Sequence, residues 1–194
     1  MTVKVGITLP TFRSDAKAAI DTALAAESAG VHGVFCFDHL WPIGESGRPS
    51  LWWASVLAAV AALTSRVRIG PLVARTGLVP EAVVASSLFG LRSICGDRLI
   101  AGLGTGDHKS ADEELRNGIA LLGAAARRQV LFELCRKLSA GGIECFVGAG
   151  SEETNEAARA AGVGLNYWGV PAETVASEPS GPTSWAGRCP KDLS

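Results

Sequence analysis

Short strand-like runs and longer helical runs alternate along this chain, and the first four strand-like runs recur about every 30 residues, the length of a βαβ unit. Strict alternation of this kind implies a parallel sheet with right-handed crossovers. The strand candidates are 3–9 (VKVGITL), 33–37 (GVFCF), 67–74 (VRIGPLVA), 98–104 (RLIAGLG), 143–148 (IECFVG), 163–168 (VGLNYW) and 183–187 (TSWAG). Helices are expected between them at 14–30, 50–64, 80–96, 119–140 and 152–161. Ser14 reads as the N-cap of the first helix, Gly30 as its stop, and Pro80 as the first-turn proline of the third. An open doubly wound sheet and a (β/α) barrel both satisfy this alternation. The segment after Val170 is rich in Pro, Gly and Ser and reads as loop.

With 194 residues and 47% hydrophobic content, the chain can build one globular domain, residues 1–194, around a substantial core. Its 18 basic and 19 acidic residues leave a net charge of -1, which gives no support for nucleic acid or an anionic membrane as partner. The start, MTVKVGITLP, lacks the basic start and long apolar run of a signal peptide. The longest apolar run, LWWASVLAAVAAL at 51–63, falls short of the ~20 residues that span a bilayer. It reads as a buried helix. The cysteines are Cys36, Cys95, Cys135, Cys145 and Cys189, an odd number with no CxxC. That argues against a zinc site or a disulfide framework and for small buried hydrophobes in a reducing cytoplasm.

The stretch LIAGLGTGDHKSADEE, 99–114, has the look of a phosphate loop. A P-loop requires Lys-Ser/Thr after its last glycine, but Asp107 and His108 follow here. A dinucleotide fingerprint requires GxGxxG after the first strand; this is GxGxG after the fourth. Both readings fail.

Chemistry in parallel α/β proteins sits at the carboxyl ends of the strands. Those ends offer Asp38, His39 and Trp41; Val73, Ala74, Arg75 and Thr76; Thr105, Gly106 and Asp107; Ala149, Gly150 and Ser151; and Asn166, Tyr167 and Trp168. Such a rim suits a flat aromatic cofactor with an anionic tail. The backbone N–H groups of Gly106 and Gly150 are candidates to face phosphate. Arg75, His108 and Lys109 are candidates to meet an anion, with a solvated surface as the simpler expectation.

The segments VGITLP, AESAGVHGVFCFDHLWP, RPSLWWASVLAAVAALTSRVRIGPLVARTGLVPEAVV and GDRLIAGLGTGD together resemble the bacterial luciferase-like monooxygenase superfamily. They are similar above all to members that use the deazaflavin coenzyme F420. The resemblance is strong over 3–107 and continues through FVGAGSEETNEAARAAGVGLNYWG and GPTSWAG. It implies a TIM-type (β/α)8 barrel, and an oxidoreductase moving a hydride between a small organic substrate and the deazaflavin. It implies that Asp38, Val73, Ala74, Thr105, Gly106, Ala149, Gly150 and Ser151 hold the cofactor. It implies His39 as acid or stabiliser, Asp107 where relatives carry a glutamate base, and Trp41 on the substrate. A cis peptide is expected at Leu72–Val73 or Val73–Ala74. The alternatives are an FMN-dependent monooxygenase of the same fold and a shortened, non-catalytic flavin-binding relative.

A full barrel takes about 250 residues. There is room here for about seven strands, so the expectation is an incomplete barrel with its C-terminal end truncated. The open strand edges would be covered in a homodimer.

Overall fold

The computed structural model describes residues 4–106, 110–168, 171, 173 and 185–187. Its elements run β1 (Gly6–Thr8), α1 (Lys17–Ser28), β2 (Gly33–Cys36), α2 (Trp53–Leu63), β3 (Arg68–Pro71), β4 (Ala74–Arg75) and α3 (Glu81–Cys95). A 3-10 turn (Gly96–Arg98) leads into β5 (Ile100–Gly104), α4 (Ala111–Arg116), α5 (Ala124–Ala140), β6 (Glu144–Gly148), α6 (Glu152–Ala160), β7 (Gly164–Trp168) and β8 (Trp185–Gly187). Every ladder is parallel, in the orders β1-β2-β3 and β4-β5-β6-β7-β8. Spatial order equals sequence order throughout. That is barrel winding; a doubly wound sheet reverses its order partway.

The strand expected over 67–74 is divided. β3 ends at Pro71, the Leu72–Val73 peptide bond is cis, and β4 resumes at Ala74. The two pieces share one position in the barrel. Ile69 bridges to Leu99 below β5, and Ala74 pairs with Leu103 above. The eight strands therefore fill seven positions, and among the described residues no ladder joins β8 to β1.

Helix ends differ from expectation for local reasons. Asp15, rather than Ser14, meets the start of α1: its Oδ1 accepts the Lys17 N–H at 3.0 Å. Pro80 sits one position before α3 rather than in its first turn. The helix expected from 119 starts at Ala124, and the short α4 occupies part of the preceding polar segment. The stop at Gly30 is as expected, and it recurs. Gly30, Gly142 and Gly162 all take positive φ, and the residue after each donates its N–H back into the helix, to Ala26, Leu138 and Ala158. This αL turn ends α1, α5 and α6 and aims the chain into β2, β6 and β7.

Strand residues alternate between two cores. Val34, Cys36, Ile69, Ala101, Leu103, Val147 and Leu165 face outward and pack with Trp53, Leu57, Leu88, Leu131 and Leu138 of the helices. Phe35, Ile100 and Phe146, of the opposite parity, form an inner cluster with Leu72 and Val73 against it. Phe35 and Phe146 meet edge to face, 6.3 Å between centroids. Cys36, Cys95 and Cys135 are buried and free, as expected; Cys189 lies outside the described residues. Burial pushes the Cys135 thiol up to about 12. No helix among the described residues is long and apolar enough to cross a membrane.

The foot of β3 is tied to α1 by one carboxylate. Glu27 accepts the N–H groups of Ser65, Arg66 and Val67 at 3.0, 2.8 and 2.9 Å. Desolvation pushes this carboxyl up, but the three backbone donors outweigh it and hold it below the ordinary range.

The glycines of β5 exist for close approach. A Cβ on Gly102 would overlap the Pro71 carbonyl oxygen and the Phe146 ring. Gly90, on the exposed face of α3, has nothing near it. Gly102→Ala is therefore expected to cost about 3 kcal/mol or more, because backbone as well as side chain must shift. Gly90→Ala should stabilise by about 0.5–1 kcal/mol through helix propensity. Urea unfolding of both variants checks the pair, and equal effects would contradict this packing.

Candidate functional site

Beyond β2 the chain runs through Phe37, Asp38 and His39 onto the carboxyl rim. Asp38 is buried, and its Oδ2 accepts the Arg75 backbone N–H at 2.7 Å, joining the ends of β2 and β4. Its Oδ1 is buried with no partner among the described residues. Desolvation raises this carboxyl; the Arg75 N–H and charge pull it part of the way back, leaving it at about 6.

His39 is held from α4. Its Nδ1 lies 2.9 Å from Glu113 Oε2, and the next residue, Leu40, gives its N–H to Glu113 Oε1. Arg75 completes the cluster, with guanidinium nitrogens 3.2 Å from Glu113 and 3.4 Å from Glu114. The solvated surface expected for Arg75 is therefore wrong: the side chain is 4% exposed. β4 turns it under α4, where two carboxylates offset the cost of burying it. Desolvation pushes Glu113 up, but the His39 hydrogen bond, the Leu40 N–H and the Arg75 charge hold it below the ordinary range.

Glu113 and Glu114 escaped the sequence reading because SADEEL looks like a solvated charge run. A signal was present. Ser110, Glu113 and Glu114 have the i, i+3, i+4 spacing of one helix face, and all three are buried.

At the end of β5, the Gly104 carbonyl accepts the Thr76 N–H at 2.8 Å, and the Thr105 carbonyl accepts from Arg127 at 2.9 Å. A Cβ on Gly104 would press into Val73. Gly106 follows with φ +69°. Asp107, His108 and Lys109 lie outside the described residues.

At the end of β6, Ala149 gives its N–H to the Asn166 carbonyl at 2.7 Å. Gly150, expected to face phosphate, instead gives its N–H to Asn155 Oδ1 at 3.0 Å. Asn155 lies in the first turns of α6 and folds back over the turn. Ser151 stands at the N-cap of α6, its Oγ 3.3 Å from Thr154 Oγ1. Glu152 and Glu153 put negative charge into that first turn.

An aromatic wall lines the same rim. Phe12 stacks on Phe37 with centroids 5.8 Å apart and planes within 6°. Phe37 meets Trp168 edge to face at 5.9 Å, and Phe12 lies 6.3 Å from the His39 ring. The sequence reading found Trp168 and His39 but not the two phenylalanines. Trp41 lines a cleft of about 350 Å³ together with Ile43, Ser46, Asp112, Glu113 and Arg116. No group of three or more His, Cys, Asp or Glu among the described residues is placed to hold a metal ion.

Asp38 generates a pH prediction. Its folded-state pKa of about 6 lies above the ordinary 3.8, so folding favours its protonated form. Its charged form weakens the fold above pH 6, and that penalty is relieved as pH falls toward 3.8. Asp38→Asn keeps an acceptor for the Arg75 N–H and removes the charge. It should raise stability at neutral pH by roughly 1–3 kcal/mol and converge on the parent near pH 4. Denaturant unfolding at both pH values measures this, and a constant difference between the proteins would count against it.

Residues 3–142 match the family model described as luciferase-like monooxygenase. Over 89 residues the chain is 33% identical to an F420-dependent glucose-6-phosphate dehydrogenase of Tsukamurella paurometabola, covering 45% of this chain and 26% of that one. An F420-dependent secondary alcohol dehydrogenase, solved with an F420-acetone adduct, superposes with a TM-score of 0.73 at 16% identity. That superposition covers 91% of this chain and 61% of the other. The oxygenating constituent of 3,6-diketocamphane monooxygenase from Pseudomonas putida, solved with FMN, gives 0.62 at 16%, covering 86% and 58%. The chain spans about a quarter of the curated relative and about three fifths of these solved ones. The family match covers most of the chain, from the approach to β1 to the end of α5, and with it the whole Asp38–His39–Arg75–Glu113 rim: the chain belongs to the luciferase-like monooxygenase family.

Proposed function

We propose that this chain is an F420-dependent oxidoreductase acting on a small organic substrate. One juxtaposition carries the reading. An aromatic wall of stacked and edge-on rings, a buried carboxylate oxygen without a described partner, and an imidazole lie together on one barrel rim.

The residues fit the ring end of a deazaflavin. Phe12, Phe37 and Trp168 offer apolar faces and edges, and Val73 caps the inner core below. Asp38 Oδ1 can accept from a ring N–H or, protonated, donate to a ring carbonyl. Ala74, Thr105 and Gly106 present backbone from the neighbouring strand ends. The tail end fits less well. Ala149, Gly150 and Ser151 form its turn in this reading, but Asn155 occupies the Gly150 N–H and Glu152 and Glu153 repel phosphate.

When bound, the deazaflavin supplies a carbon that accepts or donates hydride. The chain's own residues do the rest. His39 takes a proton from, or returns it to, the substrate oxygen. Asp107, directly after Gly106 in the sequence, is the second candidate base. We assign substrate to the cleft that Trp41 lines together with Ile43 and the α4 residues Glu113 and Arg116. A cytoplasmic homodimer completes the reading. FMN is the alternative cofactor: the same wall would take its ring, and a solved relative similar over 86% of this chain holds FMN.

Titrating the purified protein with F420 and with FMN, followed by absorbance and fluorescence, tests this directly. F420 should bind and FMN should bind at least about tenfold more weakly. With F420 and a panel of secondary alcohols and sugar phosphates, His39→Asn should lower turnover by about 10²–10⁴ with little change in F420 affinity. Binding of neither cofactor would leave only the non-catalytic relative.

A further inference from the structure

We propose that Glu113 is the positioning residue for His39: by accepting the Nδ1 proton it fixes the imidazole as the tautomer with a bare Nε2, a proton acceptor. What this does for turnover rests on the hydride-transfer reading above; the tautomer itself does not.

The groups facing Glu113 decide where the hydrogen sits. Glu113 is 3% exposed, and both its oxygens are engaged. Oε1 accepts the Leu40 N–H and lies 3.2 Å from Arg75 Nη2 as an ion pair, so both of its neighbours call for a charged acceptor. Oε2 meets His39 Nδ1 at 2.9 Å. An ionised carboxylate only accepts, so Nδ1 must carry the hydrogen and the ring's lone pair lies on Nε2. The donors around Glu113 hold its carboxyl below the ordinary range, which keeps it ionised. One side chain thus grips the ring of His39 and the backbone of the next residue together.

His32 provides an internal contrast. Its Nδ1 accepts the Val5 N–H at 3.1 Å, so its hydrogen belongs on Nε2. Two histidines of one chain should show opposite tautomers for stated reasons.

The proton balance is simple. In the oxidative direction the substrate O–H bond breaks and its proton goes to Nε2. A bound deazaflavin would take the carbon's hydrogen with its electron pair, leaving a carbonyl. The imidazolium then keeps its Nδ1–H on the Glu113 carboxylate, which stabilises the new charge. With the hydrogen on Nε2 instead, the ring could not take that proton.

The test is ¹⁵N NMR of the imidazole rings in the full chain without cofactor, at about pH 8.5, above the ordinary histidine range. The chain has three histidines, and His39→Gln assigns the signal. The wild-type protein should show His39 with hydrogen on Nδ1 and His32 with hydrogen on Nε2. In Glu113→Gln the single amide oxygen must still serve Leu40 and Arg75. Its NH₂ then faces His39, and the tautomer should invert while His32 stays unchanged. With F420 bound, this variant should lose at least about tenfold in alcohol oxidation and keep its F420 affinity. A wild-type His39 protonated on Nε2, or a Glu113→Gln protein that keeps the Nδ1 hydrogen, overturns the proposal. The wild-type spectrum alone decides it if the variant does not fold. Absence of F420 binding would sink the functional reading and leave the tautomer result standing.

Discussion

The rim depends on one buried cation. Arg75 gives its backbone N–H to Asp38 and a guanidinium N–H to Glu114, and its guanidinium pairs by charge with Glu113. Through those contacts a single residue joins the end of β2, the end of β4 and α4. Burying a guanidinium is costly, and two carboxylates offset the cost only if α4 sits where it does. The position of His39 follows, because Glu113 grips it from the same helix turn. The barrel wall supplies the other half of the constraint. Gly102 and Gly104 let Pro71 and Val73 close on β5, so β4 starts within reach of the rim.

Most of the fold was legible because it is written in local pattern. Strand-like runs such as GVFCF and IECFVG are short and apolar, and glycine stops precede both. Parallel pairing in sequence order then follows from alternation. The break in the third strand was not legible from composition. VRIGPLVA is one apolar run, and nothing in it marks Leu72–Val73; only the family resemblance placed a cis bond there. α4 was missed because a six-residue polar helix has no apolar stripe to announce it.

The site was legible where its residues are neighbours in sequence and hidden where they are not. Asp38, His39 and the glycine turn of β5 lie at strand ends and could be read off. The His39–Glu113 contact joins positions 74 apart. The aromatic wall brings Phe12 and Trp168 onto Phe37 from two other strand ends. The engagement of the Gly150 N–H was hidden for a related reason: a side chain five residues on, Asn155, reaches back for it. Neighbourhood in sequence reveals which groups are present at a rim, while the fold decides which of them are already engaged.

Two carboxyls on this rim are driven in opposite directions by the same surroundings. Glu113 receives a ring nitrogen, a backbone N–H and a guanidinium, and its charge is held. Asp38 receives one backbone N–H, has an oxygen without a partner among the described residues, and is pushed further up by the charge on Glu113. The donors are shared unequally, so the repulsion between the two falls on Asp38. One carboxylate stays fixed as a partner for an imidazole, and the other changes its proton count at about 6. Separation of this kind assigns roles among acids in enzyme sites. In the proposed function it gives Asp38 the adjustable hydrogen bond toward a ring and leaves proton transfer to His39.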